Sequence, residues 1–210
     1  MKLENVSVFN IENAIRGMRN PKNSWCKSDS TNDAIGKNDL ELAKKLIKAG
    51  SSDRKFLRQI FVSMDITAPL YFWKELDQYK VGTTTNSQST MHKLASTPIT
   101  IDCFEVDDYN KEAEIILENG ETFKVNEFVN DTINKLEMLR QMYLLTKNKK
   151  YWKELIRWLP ESWLQMRTWT GDYETLRAIY HQRKNHKLTE WHIFCNEIEK
   201  LPYSELIMGD

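Results

Sequence analysis

The sequence has no surplus charge of either sign: its 210 residues carry 30 lysines plus arginines against 30 aspartates plus glutamates. A chain without a basic excess lacks the field that draws proteins onto phosphate backbones, so duplex DNA or RNA is excluded as a main partner. Cysteine is scarce, with Cys26, Cys103 and Cys195 far apart and odd in number. That pattern builds neither a disulfide framework nor a paired-cysteine metal site, and it reads as three reduced thiols. No apolar run approaches the roughly 18 residues of a membrane helix, and the opening MKLENVSVFNIEN has no apolar core of signal-peptide length. The expectation is a soluble cytoplasmic protein with no membrane partner. Three common site signatures are also missing: GxGxxG after a strand, GxxxxGK[ST] and HExxH. None of the four histidines has a Cys or His partner at ligand spacing, so no metal centre is expected. Ser89 and His92 stand three apart without a nucleophile elbow around them, which is weak support for a serine hydrolase.

What is present fits one domain, residues 1–210, with one well-buried core. The N-terminal part holds a short apolar stretch, Val6 to Phe9, a helix over 11–18 and a polar loop, PKNSWCKSDSTND. Leu40, Leu42, Ala43, Leu46 and Ile47 recur like the apolar face of a helix over 39–49, which Gly50 stops. Ile60, Val62, Met64 and Ile66 alternate as in a half-buried strand ended by Pro69. A Pro-started helix then covers APLYFWKELDQYK, followed by a polar loop, VGTTTNSQS, and a helical stretch from Met91 to Leu94. Asn119-Gly120 either closes a hairpin or ends a helix, and the hairpin is the preferred reading. Helical spacing predicts a long helix over 126–146 and a second over 151–158, stopping at Leu159-Pro160. WLQMRTWT reads as a strand, DYETLRAIYHQR as a helix N-capped by Asp172, and LTEWHIFCNEIEKL as a last amphipathic helix. Four of the seven tryptophans, Trp152, Trp158, Trp163 and Trp169, fall close together; they read as core and subunit interface or, alternatively, as a stacking wall for a planar ligand.

The stretch IFVSMDITAPLYFWKELDQYKVGTTTNSQSTMH resembles the signature of the flavin-dependent thymidylate synthases. In that family a strand and a Pro-started helix of the form FWRQ-x-x-RHR lead into S-x-N-E-Q-S-x-R-Y. Phe72, Trp73, Lys74 and Glu75 stand at the FWRQ positions, and Gln78, Tyr79 and Lys80 stand where the family has Arg-His-Arg. Thr84, Asn86, Gln88 and Ser89 match the second half, while Ser87 replaces the Glu and Met91-His92 replace Arg-Tyr. A second match follows Leu159-Pro160. There the family has T-x-N-x-R-x-L and another Arg nine residues after the first. Here Thr170, Asp172, Glu174 and Leu176 keep the spacing and Arg183 stands at the last position, with Asp172 in place of the Asn and Glu174 in place of the first Arg. LTEWHIF is similar to the family's AQ-x-E-I-R helix if one residue is inserted, which puts Glu190 near the Gln and His192 near the Glu.

The resemblance, over roughly residues 56–200, implies an α+β fold with a small sheet packed with long helices, assembled as a homotetramer with sites shared between subunits. It implies C5 methylation of dUMP with FAD as cofactor and NADPH and methylenetetrahydrofolate as co-substrates. Arg183 and Ser89 take the catalytic positions. Lys80, Ser87, Gln88, Ser89 and Arg183 take the substrate positions, and Gln78, Tyr79, Lys80, Thr84, Asn86, Asp172 and Glu174 the cofactor positions. The replacements remove about three cationic or ionisable ligands from a site that must bind phosphates. Either neighbours such as Arg157 and Arg177 compensate, or the ligand differs. The alternatives are a flavin-dependent one-carbon modification of another pyrimidine nucleotide and a nucleotide-binding scaffold without catalysis.

Overall fold

Alternating burial marks the strand after Ile60: Val62, Met64, Ile66 and Ala68 are fully buried, and Phe61, Ser63, Asp65 and Thr67 between them are not. The computed structural model describes residues 1–209. It divides the chain into two units, the first made of Met1–Thr67, Glu75–Asn86 and the segment from Arg167 onward, the second of Ala68–Lys74 and Ser87–Met166.

The first unit holds most of a sheet of β1 (Lys2–Phe9), β2 (Phe61–Pro69), β3 (Thr84–Ser87) and β6 (Leu164–Asp172), in the order β1-β2-β6-β3; residues 68–69, 87 and 164–166 at the strand ends belong to the second. β1 runs antiparallel to β2 from Lys2 opposite Thr67 to Phe9 opposite Phe61, with a bulge between Glu4 and Ser7. Asn5 sits in that bulge at φ 52° and donates from Nδ2 to Asp65 Oδ2 at 2.8 Å, as Asn does more readily than bulkier residues. Helices α1 (Ile11–Gly17), α2 (Lys37–Ala49), α7 (Tyr173–Arg183), α8 (Thr189–Glu199) and α9 (Glu205–Met208) complete the unit. α7 buries Tyr173, Leu176, Ile179 and Tyr180, and α8 buries Trp191, Phe194, Cys195 and Ile198, both at helical spacing. Phe194 meets Trp169 and Trp191 edge-on, at 6.3 and 5.8 Å between ring centres. These contacts concentrate the unit's apolar burial in a few large rings, each worth on the order of 2–3 kcal/mol.

Electrostatics fix the N-terminal loop. Asp39 is wholly buried on α2 and accepts from Arg19 Nε (2.5 Å), Ser28 Oγ (2.6 Å), Ser30 Oγ (2.6 Å) and Ser30 N (3.2 Å). Burial alone raises its pKa; the two serines and Arg19 outweigh that and hold it below the ordinary Asp value. Asp29 accepts from the backbone N–H groups of Asn38 and Asp39, so a residue outside the helix caps α2.

In the second unit, α4 (Thr90–Lys93), the hairpin β4 (Glu114–Ile116) and β5 (Thr122–Lys124), α5 (Val125–Thr146) and α6 (Lys149–Arg157) follow the segment that opens α3 (Leu70–Leu76). Leu94, Ile99, Phe104, Leu136 and Leu155 form its buried centre. Glu137 on α5 accepts from Arg140 Nε (2.7 Å) and Nη2 (2.6 Å) and from the backbone N–H of Ile99 (2.8 Å), while Arg140 Nη1 donates to Ala95 O (3.1 Å). The Arg140 hydrogen bonds, more than any other contact, push Glu137 down to about 2.

Several expectations need correction. VGTTTNSQS is not all loop, since Thr84–Ser87 forms β3 beside β6. Its four residues are exposed on both faces, so an edge strand of this kind shows no apolar alternation to read. The helix after Pro69 ends at Leu76 rather than Lys80, and Lys55–Gln59 is a 3₁₀ turn ahead of β2. The polar N-terminal loop holds two further 3₁₀ turns, Asn20–Lys22 and Trp25–Lys27, and the four-residue helix α9 is too short to show an apolar period in the sequence. The four clustered tryptophans divide: Trp169 is buried at 1% exposure, Trp158 stands 66% exposed, and Trp152 and Trp163 are partly buried. Among the described residues, no helix is long and apolar enough to cross a membrane.

Candidate functional site

A cleft of about 500 Å³ opens on the first unit, lined by Arg58, Gln78, Tyr79, Lys80, Val81, Asp172, Glu174, Thr175 and Ala178. Residues from the two separated motifs thus meet in one place. The turn after α3 supplies Gln78 to Val81, the first turns of α7 supply Asp172 to Ala178, and the 3₁₀ turn ahead of β2 supplies Arg58.

Local chemistry explains how the turn reaches α7. Gly82 has φ +72°, and a Cβ there would run into Asp172 Oδ2, so the chain needs glycine both for its conformation and for the close approach. Thr175 Oγ1 donates to Val81 O at 2.9 Å, and Thr83 Oγ1 donates to Tyr79 O at 2.7 Å. Arg167 Nη1 holds both oxygens of Asp77 at 3.0 and 3.1 Å. Asp172 performs the capping its sequence position announces, accepting from Thr175 N at 2.8 Å. Burial pushes its carboxyl above the ordinary Asp value.

Glu174 faces the same cleft, with both carboxylate oxygens bound by Arg54 Nε at 3.0 and 2.8 Å. Arg183 is not among the lining residues. Its Nη1 donates to Glu75 Oε2 at 3.1 Å, its Nε donates to the hydroxyl of Tyr79 at 2.9 Å, and its guanidinium lies 4.9 Å from the Trp191 ring centre. Trp191 Nε1 also donates to Glu75 Oε2, at 2.7 Å. The arginine is therefore held behind Tyr79, whose hydroxyl in turn donates to Gln182 Oε1 at 2.9 Å.

The remaining motif residues are placed elsewhere. Thr84 shares a smaller hollow of about 280 Å³ with Tyr79, Lys80 and Trp169, and Asn86 lies exposed on β3. Ser87, Gln88 and Ser89 belong to the second unit. Gln88 joins Met166 through its N–H (2.9 Å) and accepts from Gln165 Nε2 at its carbonyl (2.8 Å). Ser89 Oγ caps α4, accepting from His92 N at 3.2 Å, and lies 2.7 Å from His92 Nδ1. No acidic group orients that imidazole among the described residues, so the pair is a capped turn rather than a nucleophile with its base. The expected compensating arginines are committed too: Arg157 pairs with Glu154, and Arg177 donates to the carbonyls of Ile207 and Gly209. Sequence reading missed Arg54 and Arg58, whose closeness to the α7 motif no spacing reveals. Among the described residues no group of three or more His, Cys, Asp or Glu is arranged to hold a metal ion.

No protein-family model and no curated relative matches the sequence. Solved structures do match. A flavin-dependent thymidylate synthase from Helicobacter pylori, complexed with FAD and dUMP, aligns over 98% of this chain and 96% of its own, with a TM-score of 0.69 and 18% identity. A second structure of that enzyme with FAD and dUMP gives a TM-score of 0.67 at 21% identity over the same shares. A UMP/dUMP methylase from Streptomyces cacaoi, bound with 5-Br dUMP, aligns over 94% and 88% with a TM-score of 0.61 and 12% identity.

Proposed function

We propose that this chain, which has the α+β fold of the flavin-dependent thymidylate synthases, is a flavin-dependent methyltransferase acting on a pyrimidine nucleotide, with C5 methylation of dUMP as its reaction. The observation that carries the reading is the cleft itself. Two motifs nearly a hundred residues apart, Gln78 to Lys80 and Asp172 with Glu174, line one hollow in the fold whose solved examples hold a deoxyuridine nucleotide, two of them together with FAD. The donor set suits such a ligand. Tyr79 offers an aromatic ring, Val81 and Ala178 offer apolar surface for a flat heterocycle, and Lys80 offers a cation for phosphate.

When bound, FAD with NADPH as reductant supplies the hydride chemistry, and methylenetetrahydrofolate supplies the carbon. The chain's own residues do the binding and orienting. Lys80 neutralises phosphate, Gln78 gives an amide donor and acceptor, and Tyr79 closes one wall, braced by Arg183. In this proposal Thr84 and Asn86 contribute polar contacts to the nucleotide, and Arg183 meets the pyrimidine by exchanging Glu75 for it. Residues 1–210 act as one domain, since the chain passes between the two units four times and neither unit is a continuous piece.

The experiment that tests the function is flavin titration. Phosphate-binding arginines of the resemblance are missing, so the purified protein is expected to carry less than one flavin per chain, with absorbance near 450 nm rising to saturation on added FAD. If dialysis against excess FAD leaves the protein colourless, the redox reading fails and a scaffold without catalysis takes its place.

The proposal includes a homotetramer. The resemblance implies sites shared between subunits, which leaves part of the ligand to another surface. On α5, Met138, Met142 and Leu145 form an exposed apolar stripe at helical spacing, 64%, 37% and 80% accessible. Light scattering at micromolar concentration is expected to give four times the 24.9 kDa chain mass. A clean monomer there excludes shared sites.

A further inference from the structure

The charged groups at the cleft are unevenly paired. Glu174 is neutralised by Arg54, which binds both of its oxygens. Asp172 is committed to the α7 N-terminus, and burial moves its carboxyl toward the uncharged form. Two cations remain. Arg58 lines the cleft from the 3₁₀ turn Lys55–Gln59, where buried Phe56 and Leu57 anchor the backbone and leave the arginine exposed. Its Nη2 donates to Ser51 Oγ at 2.8 Å, and it forms no salt bridge among the described residues, although its charge also favours the Asp172 carboxylate of the same cleft. Lys80 lines the same cleft, likewise without a salt bridge among the described residues. A hollow whose acids are ion-paired or capping, and which two cations line without a salt bridge, favours an anion.

We propose that Arg58 and Lys80 together form the phosphate-binding pair of this cleft, with Arg58 as the principal ligand and the Arg54–Glu174 ion pair keeping Glu174 from competing for it. The inference rests on reading the cleft as a nucleotide seat and names the residues that hold the phosphate. Arg58 suits the task because its planar fork meets two oxygens of a phosphate ester at once, while Lys80 adds a point charge. Glu174, free of Arg54, would place a full negative charge beside the same phosphate.

Inorganic pyrophosphate, FAD and riboflavin, which lacks phosphate, are titrated calorimetrically into the full chain and its R58A, R58K and K80A variants. Wild type is expected to bind FAD more tightly than riboflavin. R58A should weaken pyrophosphate and FAD at least tenfold and leave riboflavin unchanged; R58K should recover only part of the loss, and K80A should lose less than R58A. Unchanged unfolding midpoints, expected for two exposed side chains, exclude misfolding as the cause. Pyrophosphate affinities equal in wild type and R58A, or no pyrophosphate binding by wild type, overturn the proposal. If wild type binds pyrophosphate through Arg58 but takes neither FAD nor riboflavin, the anion site stands and the flavin function falls.

Discussion

Replacing Asp39 by alanine is expected to destabilise the protein by about 3–5 kcal/mol, because it leaves the Arg19 guanidinium buried without its counter-charge. Arg19 is 5% exposed at its side chain and Asp39 not at all, so water solvates the orphaned charge poorly. The same substitution strands the hydroxyls of Ser28 and Ser30, which donate to Asp39 at 2.6 Å. A loss of this size is a large part of the roughly 5–15 kcal/mol that holds a domain folded. Urea unfolding followed by fluorescence of the tryptophans gives the change directly, and limited proteolysis over residues 22–33 should show the loop released. Arg19→Met combined with Asp39→Leu should recover much of the stability, since removing both charges avoids the unpaired one. A single variant as stable as wild type would mean that solvent reaches the pair. The pH dependence has a definite sign. The Asp39 pKa is depressed in the folded state, so its contribution is complete above the ordinary Asp value near 3.8 and is lost as pH falls through the lower folded value.

The sequence made some of this legible and hid the rest for identifiable reasons. β2 was readable because one face is buried, giving a strict period of two from Ile60 to Ile66. Asp172 was readable as a cap because its partner, Thr175, lies three residues ahead. Asp29 was not, since it caps α2 from outside the helix, nine residues before the N–H of Asn38. β3 was hidden because an edge strand solvated on both faces has the composition of a loop. At the site, the motif positions Gln78 to Lys80 and Asp172 to Glu174 were found by resemblance, and they do share a cleft. The arginines near the second motif in sequence, Arg157 and Arg177, are engaged elsewhere. Arg54 reaches Glu174 across 120 positions, a pairing that only the packing of the 3₁₀ turn against α7 creates. Charge replacement inside a motif is visible in one sequence; charge supplied from a distant turn is not.

Arg183→Ala is expected to keep the fold and lose affinity for dUMP by about 1.5–3 kcal/mol, the range for hydrogen bonds to charged groups. The structure gives two routes to that loss. In one, the guanidinium leaves Glu75 to clamp the pyrimidine, and the cost is a missing bidentate donor. In the other, Arg183 acts through Tyr79, which it fixes by a 2.9 Å bond from Nε and which lines the cleft. Arg183→Lys should recover little on either route, because an ammonium reproduces neither the planar fork nor the stacking 4.9 Å above Trp191. Tyr79→Phe separates the two, since it removes the hydroxyl that accepts from Arg183 and leaves the guanidinium in place. Calorimetric titration of dUMP into flavin-loaded wild type and the three variants reads the outcome. A direct clamp predicts that Tyr79→Phe binds dUMP nearly as wild type does, whereas bracing predicts that it loses as much as Arg183→Ala. The fold should survive because Glu75 keeps its 2.7 Å bond from Trp191 Nε1 when the arginine is gone. Equal dUMP affinities in wild type, Arg183→Ala and Arg183→Lys would remove Arg183 from the site and leave its ion pair with Glu75 as its whole role.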